Sequence, residues 1–151
     1  MKGIRKMTDV KIKILRNNVS LPKYATVGAA ALDLVCAAEE PVTVPAGKRV
    51  LIPTGIAISL PENTVAIVSA RSGLSYKKGI TASNGIGVID SDYRGEIFFS
   101  AANISDKDYT VEPGERVAQM MIMPVLAANF IPCDTLDETE RGEGGFGSTG
   151  K

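Results

Sequence analysis

Apolar residues come along this chain in short bursts separated by glycine, proline and polar clusters: "VKIKIL", "ALDLV", "VTV", "RVLI", "GIAISL", "TVAIVS", "GVI", "EIFFSA", "YTV", "RVAQMMIM" and "VLAANF". Several alternate between apolar and polar positions, the two-residue period of a strand with one face on a core. Many brief strands with regular turn signals predict an all-β sandwich or barrel. One stretch, "SGLSYKKG", departs from the period and predicts a single short helix over Gly73–Lys78, capped by Ser72 and ended by Gly79. No repeat of fixed period is visible. The pattern divides the chain into a β-domain over residues 1–133 and a flexible glycine-rich C-terminal arm over residues 134–151.

Composition narrows the class. With 151 residues, 44% of them hydrophobic, the chain suits one domain with a real core. Lys plus Arg and Asp plus Glu both number 17, so no net basic field draws a nucleic-acid backbone. The basic stretch "MKGIRKMTDVKIKILR" spaces its charges at strand-like alternation, as a solvated strand face does. No membrane role is expected, because the longest apolar run, "MMIMPVLAA", is too short to span a bilayer and contains Pro124. No signal-peptide core follows Met1, and two distant cysteines, Cys36 and Cys133, suit a reducing cytoplasm better than a disulfide scaffold.

Histidine is absent altogether, which removes His-based triads, the usual zinc sites and a histidine general base. Proton transfer must then use a carboxylate, lysine or tyrosine. In "NGIGVIDSDYRGEI" an apolar strand enters a polar turn and leaves as another strand. Asp90 there reads either as a solvated hairpin residue or as a base that Val88, Ile89 and Tyr93 shield from water. Gly85 and Gly87 leave backbone groups bare for a ligand. "ARSGLS" sets Arg71, Ser72 and the Gly73 amide at a helix start, which serves a simple cap or an anion. In "PGERVAQM", Gln119 is either a hydrogen-bonded core residue or a ligand contact. Asp33 in "GAAALDLV" is a carboxylate within an apolar strand and needs a cation or donors nearby. The ending "RGEGGFGSTGK" nearly spells a P-loop, yet no hydroxyl or helix follows Lys151 and nothing strand-like precedes the run. Arg141, Phe146, Ser148 and Thr149 instead suit an arm that folds over a ligand.

In order, "AALDL", "ARSGLS", "NGIGVIDSDYRGEI", "PGERVAQM" and "RGEGGFGSTG" resemble the five motifs of the homotrimeric dUTP diphosphatases, over about Lys11 to Lys151. The resemblance implies a jelly-roll-like β-barrel whose three subunits share three active sites. It implies hydrolysis of dUTP to dUMP and pyrophosphate with Mg²⁺, which supplies dUMP for thymidylate synthesis and keeps uracil out of DNA. Asp90 would activate the attacking water; Asn84, Gly85 and Gly87 would read uracil, Tyr93 would pack on the deoxyribose, and Phe146 would stack on the base. Arg71, Ser72, Gly73, Gln119, Arg141, Gly147 and Ser148 would hold the phosphates, with Asp33 touching Mg²⁺ through water. Two other readings share the fold: a dCTP deaminase, for which Glu96 is the carboxylate just beyond the turn, and a non-catalytic nucleotide sensor.

Overall fold

The computed structural model describes residues 7–145. Eleven strands and one helix make up the described part: β1 (Lys11–Ile14), β2 (Leu32–Val35), β3 (Val42–Val44), β4 (Arg49–Pro53), β5 (Ile56–Ser59), β6 (Thr64–Ala70), α1 (Ser72–Lys78), β7 (Ile80–Ala82), β8 (Gly87–Ile89), β9 (Phe98–Asn103), β10 (Tyr109–Val111) and β11 (Arg116–Pro124). All the pairings are antiparallel and form a jelly-roll-like fold. The ladders are four sheets rather than one closed barrel: β1-β5, β3-β10, β2-β11-β6-β8 and β4-β9-β7.

Alternation decides what each strand buries. In β9, Phe99, Ala101 and Asn103 point inward and their neighbours do not. With Leu34, Ile52, Ile56, Ile80, Ile97, Val44, Val111 and Val117 they form one core. Asn103, the polar member, is fully paired: Nδ2 donates to the Val44 and Lys107 carbonyls, while Oδ1 accepts from the Ser105 N–H and hydroxyl. The adjacent Ile104 N–H bonds the Gly79 carbonyl at 2.8 Å, which ties the end of α1 to this loop.

The four-stranded sheet positions the chemistry. Between Arg116 and Ala118 the pairing of β11 with β2 shifts by one residue, so the bulge buries two consecutive residues, Val117 and Ala118. Beyond it Gln119 faces Asp33 on β2 and Ser69 on β6. Directly opposed residues share a face, so Asp33, Gln119 and Ser69 form one polar row across three strands.

Three expectations are corrected, and one strand, β7, went unpredicted. "VLAANF" forms no strand; its residues follow β11 as exposed chain, with Leu126 and Phe130 almost wholly open. The three-residue β7 lies between helix and turn signals and carries too few positions to show a period. The helix begins one residue early, at Ser72, so Arg71 is its cap and Ser72 lies in the first turn. Finally, β8 and β9 do not pair as a hairpin: β8 joins β6, whereas β9 lies between β4 and β7, so residues 90–97 cross from one sheet to another.

Candidate active site

The polar row continues at its β6 end into Arg71. Asp33 Oδ1 stands 2.8 Å from Arg71 Nε and Oδ2 stands 3.2 Å from Arg116 Nη1, so one carboxylate joins two guanidinium groups. Gln119 donates from Nε2 to Ser69 Oγ at 3.3 Å and to the Ala70 carbonyl at 3.2 Å, which fixes its amide beside Arg71. Ser72 and Gly73 follow Arg71 and are exposed at the first turn of α1. An open cleft of about 490 Å³ runs past them, lined by Arg71, Gly73, Lys77, Lys78 and Arg116. Although the chain has no net charge, this cleft concentrates cations and so suits an anion.

Glu115 holds the edge of the cleft. Its Oε1 accepts the Tyr109 hydroxyl at 2.5 Å and its Oε2 accepts the Glu112 N–H at 3.1 Å, closing the turn before β11. Burial, together with the bond to Glu115, pushes the Tyr109 phenol up to about 12, so it remains a donor at any physiological pH. Lys78 Nζ lies 5.8 Å from the centre of the Tyr109 ring.

Asp90 is elsewhere. It follows Ile89, which pairs with Ala66, and therefore lies abreast of Val65, near the opposite end of β6 from Arg71. Six residues of strand separate those ends, about 20 Å. Val88 and Asp90 share the outward face of β8 and both are exposed, so the expected apolar shield around Asp90 is not formed by its own chain. Its carbonyl accepts the Tyr93 N–H at 3.2 Å, and the Tyr93 hydroxyl donates to the Glu96 carbonyl at 3.0 Å. Gly95 lies beneath that ring: a Cβ there would come within 2.3 Å of the phenolic oxygen.

Asn84 and Gly85 occupy the exposed turn between β7 and β8, where Gly85 has φ 74° and the Ile86 N–H bonds the Asn84 carbonyl. Gly87 opens β8 against β6, with room for no more than a tight Cβ contact at Val68. Arg141 is exposed and donates from Nε to the Gly144 carbonyl within its own segment. Phe146, Gly147, Ser148 and Thr149 lie outside the described residues.

One chain therefore brings together Asp33, Arg71, Ser72, Gly73 and Gln119, and separately Asn84, Gly85, Gly87, Asp90 and Tyr93. Sequence reasoning missed Arg116, although a cation directly before an apolar run was visible in "PGERVAQM". Glu96 is committed elsewhere: both its oxygens bond Arg16, at 3.0 and 3.1 Å, and Oε1 also takes the Gly55 N–H at 2.9 Å. A carboxylate held by three donors is a poor proton shuttle, which counts against the deaminase reading.

Among the described residues no cluster of three or more Asp, Glu, Cys or His is built to hold a metal. Asp33 is the carboxylate in the polar row, and both its oxygens face arginines. Such a donor set does not fit an all-protein metal cage; it fits a Mg²⁺ that keeps most of its water shell.

The dUTPase family model matches residues 17–150. The deoxyuridine 5'-triphosphate nucleotidohydrolase of Glaesserella parasuis serovar 5 is 47% identical over 150 residues, covering 96% of this chain and 99% of its own. The protein of the same name from a Hydrogenobaculum species is 50% identical over 139 residues, covering 92% and 96%. Among solved structures, a mutant dUTPase of Staphylococcus bacteriophage 80alpha with dUpNHpp superposes with a TM-score of 0.87 at 25% identity, covering 96% of this chain and 100% of that one.

Proposed function

The chain belongs to the dUTPase family, and from that premise we propose how it works: it hydrolyses dUTP to dUMP and pyrophosphate at a site completed by neighbouring copies of itself. The observation that carries this reading is the cross-strand row of Asp33, Gln119 and Ser69 running into Arg71 and the open start of α1. Arg71, Ser72, Gly73 and Gln119 bind the phosphates there. Asp33 keeps Arg71 aimed and meets the hydrated metal through water.

Asp90 takes a proton from a water whose oxygen attacks the α-phosphorus. As that bond forms, the bond from the α-phosphorus to the bridging oxygen breaks and pyrophosphate leaves. Mg²⁺, when bound with the triphosphate and held through water by Asp33, would supply neutralisation of the charge on the departing pyrophosphate. Asn84 and the backbone at Gly85 and Gly87 read the uracil edge, and their tight turn leaves no space for the methyl of thymine. Absence of a favourable methyl contact alone would discriminate by only about 1–3 kcal/mol, so a clash is required. Tyr93 packs against the deoxyribose where a 2′-hydroxyl would stand. Arg141, Phe146, Gly147 and Ser148 close over the base and the γ-phosphate, and the triphosphate offsets the entropy of ordering the arm.

The separation of Asp90 from Arg71 by about 20 Å of strand supports sharing between chains, since water activated at one end of β6 cannot reach a phosphorus bound at the other. A homotrimer with three sites at its interfaces satisfies this. The two unpaired cysteines suit a cytoplasmic protein, with Cys36 buried and its thiol pushed up by that burial.

The direct test supplies dUTP, dTTP, dCTP and UTP with Mg²⁺ and follows pyrophosphate and ammonia. Pyrophosphate from dUTP alone is expected. Ammonia from dCTP would replace this reading with the deaminase one.

A further inference from the structure

The ion pair between Arg16 and Glu96 lies outside the polar row of Asp33, Gln119 and Ser69, and its carboxylate is held by three donors. Arg16 presents Nε and Nη2 to the two oxygens of Glu96 in a bidentate fork, and the Gly55 N–H adds a third donor. The backbone around Glu96 is fixed as well. The Ile97 N–H bonds the Ile56 carbonyl at 2.9 Å, and the Ile97 carbonyl accepts the buried Thr54 hydroxyl at 2.6 Å. The Leu15 N–H bonds the Gly55 carbonyl at 2.8 Å, so the segment carrying Arg16 is anchored to the same strand entry.

This anchoring ends at one functional side chain. The Tyr93 hydroxyl is held by the Glu96 carbonyl, and its ring lies over the bare backbone of Gly95, the residue just before Glu96. Tyr93 is otherwise largely exposed, and these two contacts anchor its ring. If the Glu96 carbonyl shifts, the ring shifts with it. We propose that Arg16 and Glu96 are positioning residues that set the Tyr93 ring against the sugar, and through it the refusal of ribonucleotides.

The inference rests on the reading of Tyr93 as the deoxyribose contact. The two substrates differ by a single hydroxyl oxygen at C2′; a ring packed against that carbon excludes the oxygen by occupying its place, and a displaced ring opens that space. A fork gives directional hold that a single amine or a neutral amide does not reproduce. Hence loosening the clamp should raise ribose tolerance more than it lowers dUTP turnover.

The experiment measures kcat/KM for dUTP and for UTP in wild type, Glu96→Gln and Arg16→Lys, with a thermal melt of each. The wild-type preference for dUTP tests the sugar reading itself, independently of the variants. In both variants the preference should fall about tenfold, chiefly through a rise for UTP, as expected when a site loses shape discrimination. Equal losses for dUTP and UTP with the preference intact would make the clamp purely structural and overturn the proposal, as would variants indistinguishable from wild type. If Glu96→Gln does not fold, Arg16→Lys, which keeps the charge and the stem, decides by the same ratio.

Discussion

Asp33 holds Arg71 by an oxygen 2.8 Å from its Nε while its other oxygen faces Arg116 at 3.2 Å. The Asp33 and Arg71 side chains retain 26% and 31% of their exposure, so water screens the pair and its share of stability is small, about 0–1 kcal/mol. Its value lies in aim. Asp33→Asn should therefore melt close to wild type while kcat/KM for dUTP falls about 10–100-fold, the cost of misplacing a phosphate-binding group. Steady-state kinetics beside a thermal melt checks this, and an unchanged KM and kcat would refute the alignment role.

Sharing of the site makes a sharper prediction, because Arg71 and Asp90 lie near opposite ends of β6. Arg71→Ala and Asp90→Asn should each be nearly inactive alone. Unfolded together and refolded as an equal mixture, they should regain about a quarter of wild-type activity, the chance that a site draws an intact Arg71 from one chain and an intact Asp90 from another. A mixture no more active than its parts would place both residues of each site on one chain.

The Arg16–Glu96 pair fixes the sign of a pH effect. The Arg16 fork, and with it the Gly55 N–H, holds the Glu96 carboxyl below its ordinary value of 4.5 against the opposing effect of burial. The folded state therefore prefers the ionised form, so the pair's stabilisation is complete above that value and is lost as pH falls through the lowered one. Thermal melts from about pH 7 to about pH 3 should show wild type above Glu96→Gln near neutrality, with the gap closing in the acid range. A gap that widened on acidification would contradict the assignment.

Much of the β architecture was legible because burial on one face writes a two-residue period into the strands. Burial alternates along β6 and β9, and Gly79 announced the end of α1, where it adopts φ 69°. The row that matters most was not legible. Gln119 faces Asp33 only because of the bulge at Arg116–Ala118, and without it the register would set Gln119 opposite Leu32. Periodicity cannot reveal an inserted residue when Val117 and Ala118 are both apolar. Of the two readings open for Asp90, its own chain leaves it exposed: Val88 and Ile89 are neighbours in sequence, but Val88 shares the outward face and Ile89 points the other way, so adjacency does not mean enclosure. "VLAANF" has the composition of a strand, but beyond the Val125 N–H, which bonds the Asn63 carbonyl at 3.0 Å, it joins no sheet among the described residues of its own chain, and composition does not say whether a partner strand is present.

The measurement closest to the central claim is pyrophosphate release from dUTP with Mg²⁺ by wild type and by Asp90→Asn, with dUTP binding measured on both. Wild type should turn over dUTP, and Asp90→Asn should bind it comparably while losing about 10²–10⁴-fold in rate, the range for removal of a general base. Near-normal turnover by Asp90→Asn would remove the base from the mechanism. Tight binding of dUTP by a wild type that releases no pyrophosphate would make this chain a nucleotide sensor rather than an enzyme.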